Sequence, residues 1–239
     1  MPPTTSSSVN VNFEVQTLIR SASPNFDARP GEVDMLVLHY TGMQSAGAAL
    51  NRLCDAAAKV SAHYLVDEDG TIYALVEEQN RAWHAGVSFW RGVTGLNDRA
   101  IGIEIVNPGH EFGYRPFPPT QMRAVRALCH GILARWPGIV ARNVVAHSDI
   151  APNRKQDPGE LFDWRGLAAS GIGLWTDFFA APGDLREDLA AIGYDAALAE
   201  SDVITAFQRH FLPDHLTGVA DEQTAGRAAC LRALLDPKH

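Results

Sequence analysis

Three residues far apart in the sequence have the chemistry of metal ligands. His39 ends the apolar run 35–38, and His147 is followed ten residues later by Asp157. Two imidazoles and one carboxylate suit Zn²⁺, and three protein ligands leave a fourth position for a water that becomes a nucleophile near neutral pH. A structural zinc site would need four protein ligands, so the triplet predicts a catalytic zinc site.

Each member of the triplet also has an ordinary explanation when it is taken alone. His39 would more often be a hydrogen-bonded histidine of the core. Asp157 stands before Pro158 and Gly159, where it would pass as a turn residue. The prediction therefore depends on the three residues together.

Glu104 and Lys155 are candidates for catalytic roles beside the metal. In the predicted strand 100–106, period-2 alternation places Glu104 on the face opposite the isoleucines. Glu104 could pair with an arginine such as Arg99 or face solvent, but we favour a general base that accepts a proton from the attacking water. We expect a loop after the strand that leads to His147, and in this loop Lys155 is either a solvated charge or a cation that stabilises an oxyanion.

A loop rich in aromatic residues offers candidate substrate contacts. Trp83 and His84 precede a glycine, and exposed rings near a cleft would stack on sugar or peptide, whereas buried rings would belong to the core. Asn97 is a further candidate contact, although a role in the turn before the next strand is also open. For His63 we expect a structural role.

The order of the elements predicts an α/β domain with a central mixed β-sheet flanked by helices. Period and turn residues predict the strands 34–41, 62–66, 71–76, 100–106 and 143–146 and the helices 46–58 and 120–136, the last with Thr120 as N-cap. We expect an irregular arm over 1–30, the catalytic domain over 31–180, and a small three-helix domain over 184–236, with helices at 184–192, 202–211 and 221–235.

Composition limits the partners. The chain has 239 residues and a net charge of −8, without the clustered Lys and Arg that nucleic-acid binding requires. Three widely spaced cysteines fit neither a disulfide framework nor a thiolate metal site. The N-terminus lacks the pattern of a secretory signal, so we expect a cytoplasmic protein, or a periplasmic or outer-membrane-associated one if a leader was removed. We also expect a monomer.

Several separate blocks of sequence resemble the type 2 N-acetylmuramoyl-L-alanine amidases, a zinc family that includes bacterial anhydromuramyl-peptide amidases, phage amidases and animal peptidoglycan recognition proteins. The blocks occur in the expected order at 37–41, 61–63, 81–86, 101–104 and 147–159. Such a series is far more specific than one motif. The segment 184–235 is similar to the helical peptidoglycan-binding modules found beside such amidases.

The resemblance implies a zinc amidase that cuts the bond between (anhydro-)N-acetylmuramic acid and the L-alanine of the stem peptide during cell-wall turnover and recycling. It implies that His39, His147 and Asp157 bind the zinc, that Glu104 is the general base and that Lys155 stabilises the oxyanion. The alternative is a protein that binds or senses muropeptides without cutting them. Members that only recognise peptidoglycan usually lack a ligand or the base, and this chain keeps them all.

Overall fold

The computed structural model describes residues 18–235, which form ten strands and eight α-helices. The strands are β1 Leu18–Arg20, β2 Phe26–Ala28, β3 Met35–Tyr40, β4 Tyr64–Val66, β5 Ile72–Ala74, β6 Asn80–Ala82, β7 Phe89–Trp90, β8 Val93–Thr94, β9 Ala100–Ile105 and β10 Val144–Ala146. The helices are α1 Ala46–Leu53, α2 Gly109–Phe112, α3 Pro119–Arg135, α4 His147–Ile150, α5 Trp164–Ala169, α6 Leu185–Ile192, α7 Glu200–Phe211 and α8 Glu222–Leu235.

Six of the strands form one mixed sheet in the order β1-β5-β4-β9-β3-β10. The pair β4 and β5 is antiparallel, and the other neighbours in this sheet are parallel. The central strands β3 and β9 are buried over nearly their whole length, as expected for parallel strands covered on both faces. The predicted central mixed sheet flanked by helices is confirmed.

The two faces of the sheet pack against different helices because side chains alternate along each strand. On β3, Leu36 and Leu38 belong to a core with the buried face of α3, whereas Met35 and Val37 belong to a core with α6, α7 and α8. By the same alternation, His39 lies on the face that the C-terminal helices cover.

The three C-terminal helices form within a residue or two of their predicted bounds, as do the strands that carry the site. Residue 236, the predicted end of the three-helix domain, lies outside the described residues. These helices share their hydrophobic core with β3 and β10. Packing of a small module against the larger domain is expected, because three short helices bury little apolar surface alone.

Three details of the predicted elements were wrong. Thr120 is not an N-cap, because the helix already begins at Pro119, whose fixed φ suits the first turn. The helix that begins at Ala46 ends at Leu53, and a separate 3-10 turn follows over Ala56–Ala58, where the side chain of Asp55 accepts a hydrogen bond from the amide of Ala57. A single helical turn, α4, begins at His147, where we expected a loop.

The predicted irregular arm is also wrong for the residues that the structure describes. Strand β1 adds to β5 in parallel, and β2 pairs with β6 in the antiparallel sense. Both short strands are exposed, so they carry no apolar alternation that a sequence pattern could show. Their hydrogen bonds go to strands about 50 residues away in the sequence. Residues 1–17 lie outside the described part.

Candidate active site

Two of the predicted site residues lie side by side on the central strands. His39 on β3 is the register partner of Glu104 on β9, so both side chains project from the same face of the sheet. The two strands are hydrogen-bonded along six residue pairs. The spacing between these two side chains is therefore set by the regular repeat of the sheet.

The other two predicted ligands come from the segment after β10. His147 is the first residue of α4, and the amide of Ser148 donates to the carbonyl of Asp157 at 3.0 Å. His39 Nδ1 lies 2.9 Å from His147 Nδ1 and 3.1 Å from Asp157 Oδ2, and His147 Nδ1 lies 3.0 Å from the same oxygen. The structure thus brings the predicted triplet together, with all three side chains buried.

The donor set fits a zinc ion. Bonds of about 2.0–2.1 Å in a tetrahedron would separate the ligand atoms by about 3.3 Å, close to the three distances observed. His147 Nε2 donates to the carbonyl of Ala85 at 3.2 Å, so its proton is on Nε2 and the lone pair of Nδ1 points toward the other ligands. Two nitrogens and one carboxylate oxygen facing one point form a group that could hold such a cation.

The protonation states also favour a cation. Burial and the neighbouring His147 lower the pKa of His39 to about 4, so His39 is neutral at pH 7. Burial by itself would raise the pKa of Asp157, but the charge and hydrogen bonds of the two imidazoles outweigh it and hold that pKa well below its usual range. The site therefore presents an ionised Asp157 carboxylate and a neutral His39 imidazole, both of which are ligands that zinc accepts.

In both imidazoles, the nitrogen that faces away from the predicted metal position also has a partner. His39 Nε2 lies 3.1 Å from Nδ1 of His84, and His147 Nε2 reaches Ala85. Partners of this kind fix the orientation of metal-binding histidines. Gly102 leaves room for His84, since a Cβ at that position would lie 2.5 Å from the imidazole ring.

Glu104 and Lys155 line the same cavity as the ligands His147 and Asp157, a space of about 370 Å³. Burial, followed by the charge of Asp157, raises the pKa of Glu104 well above its ordinary value, while the charge of Lys155 opposes this. Oε2 of Glu104 is buried without a hydrogen-bond partner in the described part of the chain. The alternative pairing with Arg99 does not occur, because Arg99 Nε donates to Asp34 at 2.6 Å.

Trp83 and His84 also line this cavity, whereas Asn97 does not. Asn97 is buried, and its Oδ1 accepts hydrogen bonds from the backbone amides of His84 and Ala85 at 3.0 and 2.8 Å. Its position fits the turn interpretation better than contact with a substrate. The indole of Trp83 donates to Asp27 at 2.7 Å, which holds the ring at the rim.

His63 has the structural environment that the sequence led us to expect. Its Nδ1 accepts from the amide of Gly102 at 3.0 Å, and its Nε2 donates to the carbonyl of Asn80 at 3.1 Å. Burial, together with the nearby charge of Arg29, lowers its pKa to about 3. Both ring nitrogens are therefore used within the protein, and no lone pair is left for a metal.

Sequence reasoning missed the support behind His147. The guanidinium of Arg154 donates to the carbonyl of Ala85 at 2.8 Å and through Nε to the carbonyl of Val87 at 3.0 Å. It thereby holds the same Ala85 oxygen that fixes the His147 ring. A backbone acceptor has no side-chain signature, so no pattern could have indicated Ala85 or the role of Arg154.

Comparisons with known proteins agree with this geometry. The model of the N-acetylmuramoyl-L-alanine amidase family matches residues 29–160, a range that covers more than half of the chain and includes every predicted site residue. The chain belongs to the N-acetylmuramoyl-L-alanine amidase family. The predicted amidase activity is thereby confirmed, and the alternative of a protein that only binds muropeptides is not favoured.

The similarity extends along most of the amidase. This chain is 42% identical over 230 residues to the N-acetylmuramoyl-L-alanine amidase AmiD of Escherichia coli, and the alignment covers 83% of this chain and 82% of AmiD. It is 34% identical over 167 residues to the 1,6-anhydro-N-acetylmuramyl-L-alanine amidase AmpD of Haemophilus influenzae, covering 62% of this chain and 89% of AmpD.

Solved structures show the same fold. AmiD of E. coli, in complex with the substrate anhydro-N-acetylmuramic acid-L-Ala-D-gamma-Glu-L-Lys, superposes with a TM-score of 0.76 at 40% identity over 85% of this chain and 90% of that chain. AmpDh3 of Pseudomonas aeruginosa superposes with a TM-score of 0.77 at 32% identity over 96% of this chain and 99% of that chain. A match of that extent includes the C-terminal helices.

Proposed function

We propose that this amidase binds one Zn²⁺ through His39, His147 and Asp157 and hydrolyses the amide bond between anhydro-N-acetylmuramic acid and L-alanine in soluble muropeptides. The observation that carries the proposal is the convergence of three ligand atoms, all within 4.8 Å of one another, beside a cavity that Glu104 lines together with His147 and Asp157. The zinc would supply Lewis acidity and lower the pKa of a bound water.

Glu104 is the proposed general base. Its carboxylate projects from the sheet beside His39, and its raised pKa makes it a stronger proton acceptor than an exposed glutamate. After taking a proton from the attacking water, the Glu104 carboxyl returns it to the departing amine of L-alanine. The products are a muramic acid sugar and a free stem peptide.

Lys155 is the proposed stabiliser of the oxyanion. Its side chain lines the cavity, and its positive charge acts on both Glu104 and His39. A fixed cation in a site that excludes water stabilises developing negative charge far more strongly than it would in bulk solvent. Trp83, at the rim, is the proposed contact for the sugar or the first residues of the stem.

The preference for the anhydro sugar rests on the relatives. AmpD of H. influenzae is a 1,6-anhydro-N-acetylmuramyl-L-alanine amidase, and the solved complex of AmiD contains an anhydro-N-acetylmuramic acid peptide. The peptidoglycan-binding role of the helices α6 to α8 and the cytoplasmic location stay predictions. No helix among residues 18–235 is long and apolar enough to cross a membrane.

The assignment of Glu104 is tested with Glu104→Gln and Glu104→Ala. Loss of the base should lower turnover of anhydro-muropeptide by about 10²–10⁴-fold, while the zinc content measured by mass spectrometry stays at one per chain. Glu200→Gln, at an exposed position in the first turn of α7, is the matched control and should keep full activity. Unchanged turnover in both Glu104 variants would refute the assigned role.

The substrate class is tested by comparing three substrates with wild-type protein. We expect release of stem peptide from anhydro-muropeptide to be faster than from the muropeptide with a reducing sugar, and faster still than from intact sacculi. Equal rates on all three would contradict a preference for the anhydro sugar and for small fragments, without contradicting the metal site.

A further inference from the structure

Asp149 lies two residues after the ligand His147 and is almost completely buried. Its Oδ2 accepts from the backbone amide of Ala146 at 2.8 Å, across the point where β10 ends and α4 begins. The carboxylate therefore holds the bend of the chain from which the His147 ring projects.

The same carboxylate takes two more hydrogen bonds from the C-terminal helices. The hydroxyl of Tyr194, just after α6, donates to Oδ1 at 2.6 Å, and Nδ1 of His210 on α7 donates to Oδ2 at 2.6 Å. All three side chains are at most 2% exposed. We call Asp149, Tyr194 and His210 the Asp149 cluster. A buried carboxylate that lost these donors would be costly to keep in place.

Aromatic packing fixes Tyr194 and His210, the two donors that come from the C-terminal part of the chain. The ring of His210 stacks on Trp164 of α5 with centroids 3.9 Å apart, and Tyr194 packs edge-on against Trp90 at 5.2 Å and Phe207 at 6.1 Å. The C-terminal helices share one hydrophobic core with the strands β3 and β10. The donors are therefore rigidly placed relative to the sheet.

A displacement of α4 would also displace two of the predicted ligands. His147 begins this helix, and its second residue, Ser148, donates through its amide to the carbonyl of Asp157. Holding Asp149 thus holds the segment on which both His147 and Asp157 depend. Partners that orient metal ligands typically contribute 10–100-fold to metal affinity.

From this geometry we propose that the C-terminal helices position the zinc ligands through the Asp149 cluster, in addition to any contact they make with peptidoglycan. Tyr194 and His210 are positioning residues that act through Asp149 and do not touch the substrate. The proposal rests on the zinc site put forward under the proposed function. It gives the C-terminal helices a role in the catalytic centre itself.

The test measures zinc affinity by competition with a chelator of known affinity. Tyr194→Phe keeps the ring and removes the hydroxyl, and His210→Phe keeps the stacking and removes the Nδ1 donor. We expect the double variant to bind zinc about 10–100-fold more weakly than wild type. In the cobalt-substituted protein, the visible absorption bands should shift, because they report the geometry of the ligands.

Two further variants separate positioning from simple loss of stability. His210→Asn places an amide donor near the position of Nδ1 and should restore most of the zinc affinity. Leu231→Ala, in the buried face of α8, should lower the melting temperature and leave zinc affinity and the cobalt spectrum unchanged.

The outcomes distinguish this proposal from the proposed function. If the double variant stays folded and binds zinc within twofold of wild type, the positioning role is overturned while the zinc amidase stands. If Leu231→Ala weakens zinc binding as much as the double variant, the effect is one of stability and the positioning role is again overturned. A wild-type protein that binds no zinc would overturn the metal site, and the positioning role with it.

Discussion

His63 and the pair His39 and His147 are buried to a similar degree, with 0%, 1% and 4% of their surfaces exposed, but their ring nitrogens have different partners. Both nitrogens of His63 are bonded to the backbone. In the pair, one nitrogen of each ring is held from behind and the other faces its counterpart and Asp157. Burial therefore does not mark a metal site, whereas converging lone pairs do.

The largest effect should come from removing a converging ligand. Asp157→Asn keeps the shape of the side chain but removes the negative charge, so zinc content should fall from one per chain to near zero and turnover should drop on the order of 10³-fold or more. His63→Gln is the matched control, and we expect it to keep its zinc. Zinc loss in both variants would erase the distinction between the two kinds of histidine.

A smaller effect is expected at Lys155, a cation that lines the cavity and is not a metal ligand. Lys155→Met should lower kcat by about 10²–10³-fold with little change in KM, because the charge acts mainly on the oxyanion. Zinc content should be unchanged. A variant in which KM rises and kcat is kept would instead assign Lys155 to substrate binding.

Gly102 connects the two histidine environments, since its amide donates to His63 and its Cα faces the ring of His84. Gly102→Ala would place a Cβ 2.5 Å from that ring, so the His84 ring must shift and its contact with His39 Nε2 would be disturbed. We expect about 10-fold weaker zinc binding and a loss of about 1–3 kcal/mol in the free energy of unfolding. Unchanged zinc affinity would show that His84 does not support His39.

The smallest effect on zinc binding is expected at His63, whose titration changes the pH dependence of stability. The pKa of His63 falls from 6.5 when exposed to about 3 in the fold, so between these values the unfolded chain binds a proton that the folded chain does not. The contribution of His63 to the free energy of unfolding is therefore fully present above pH 6.5. It is lost as the pH falls toward 3, by up to about 1.4 kcal/mol per pH unit.

Urea unfolding of the zinc-free protein between pH 7 and pH 5 measures this difference. Because His39 and other buried groups titrate in both proteins, the informative quantity is the slope of wild type minus that of His63→Gln. The variant should lose less stability per pH unit. Identical slopes would mean that His63 is protonated in the folded protein.

The strand-borne part of the site was predictable because alternation on a strand has a physical period. Glu104 was expected on the face opposite the isoleucines, and it lies there beside His39. The spacing from His147 to Asp157 and the family resemblance were needed for the loop-borne part. Their joint position depends on the backbone bond between Ser148 and Asp157, which has no side-chain pattern.

The remaining contacts could not be predicted for reasons of distance and chemistry. Tyr194 and His210 lie 45 and 61 residues after their partner Asp149, and nothing local marks them as its donors. Strands β1 and β2 are exposed and bind to strands far along the chain. Such pairings depend on the completed fold, in which tertiary contacts outweigh local propensity.

The pairing of His39 with Glu104 across β3 and β9 has a consequence for how the amidase could be redesigned. Their separation is maintained by a ladder of backbone hydrogen bonds and does not depend on the surrounding loops. Loops at the rim, including the one that carries Trp83, could therefore be exchanged to accept other sugars or stems while the distance from proton acceptor to metal ligand is retained. New specificities are best sought by grafting loops onto an unchanged pair of strands.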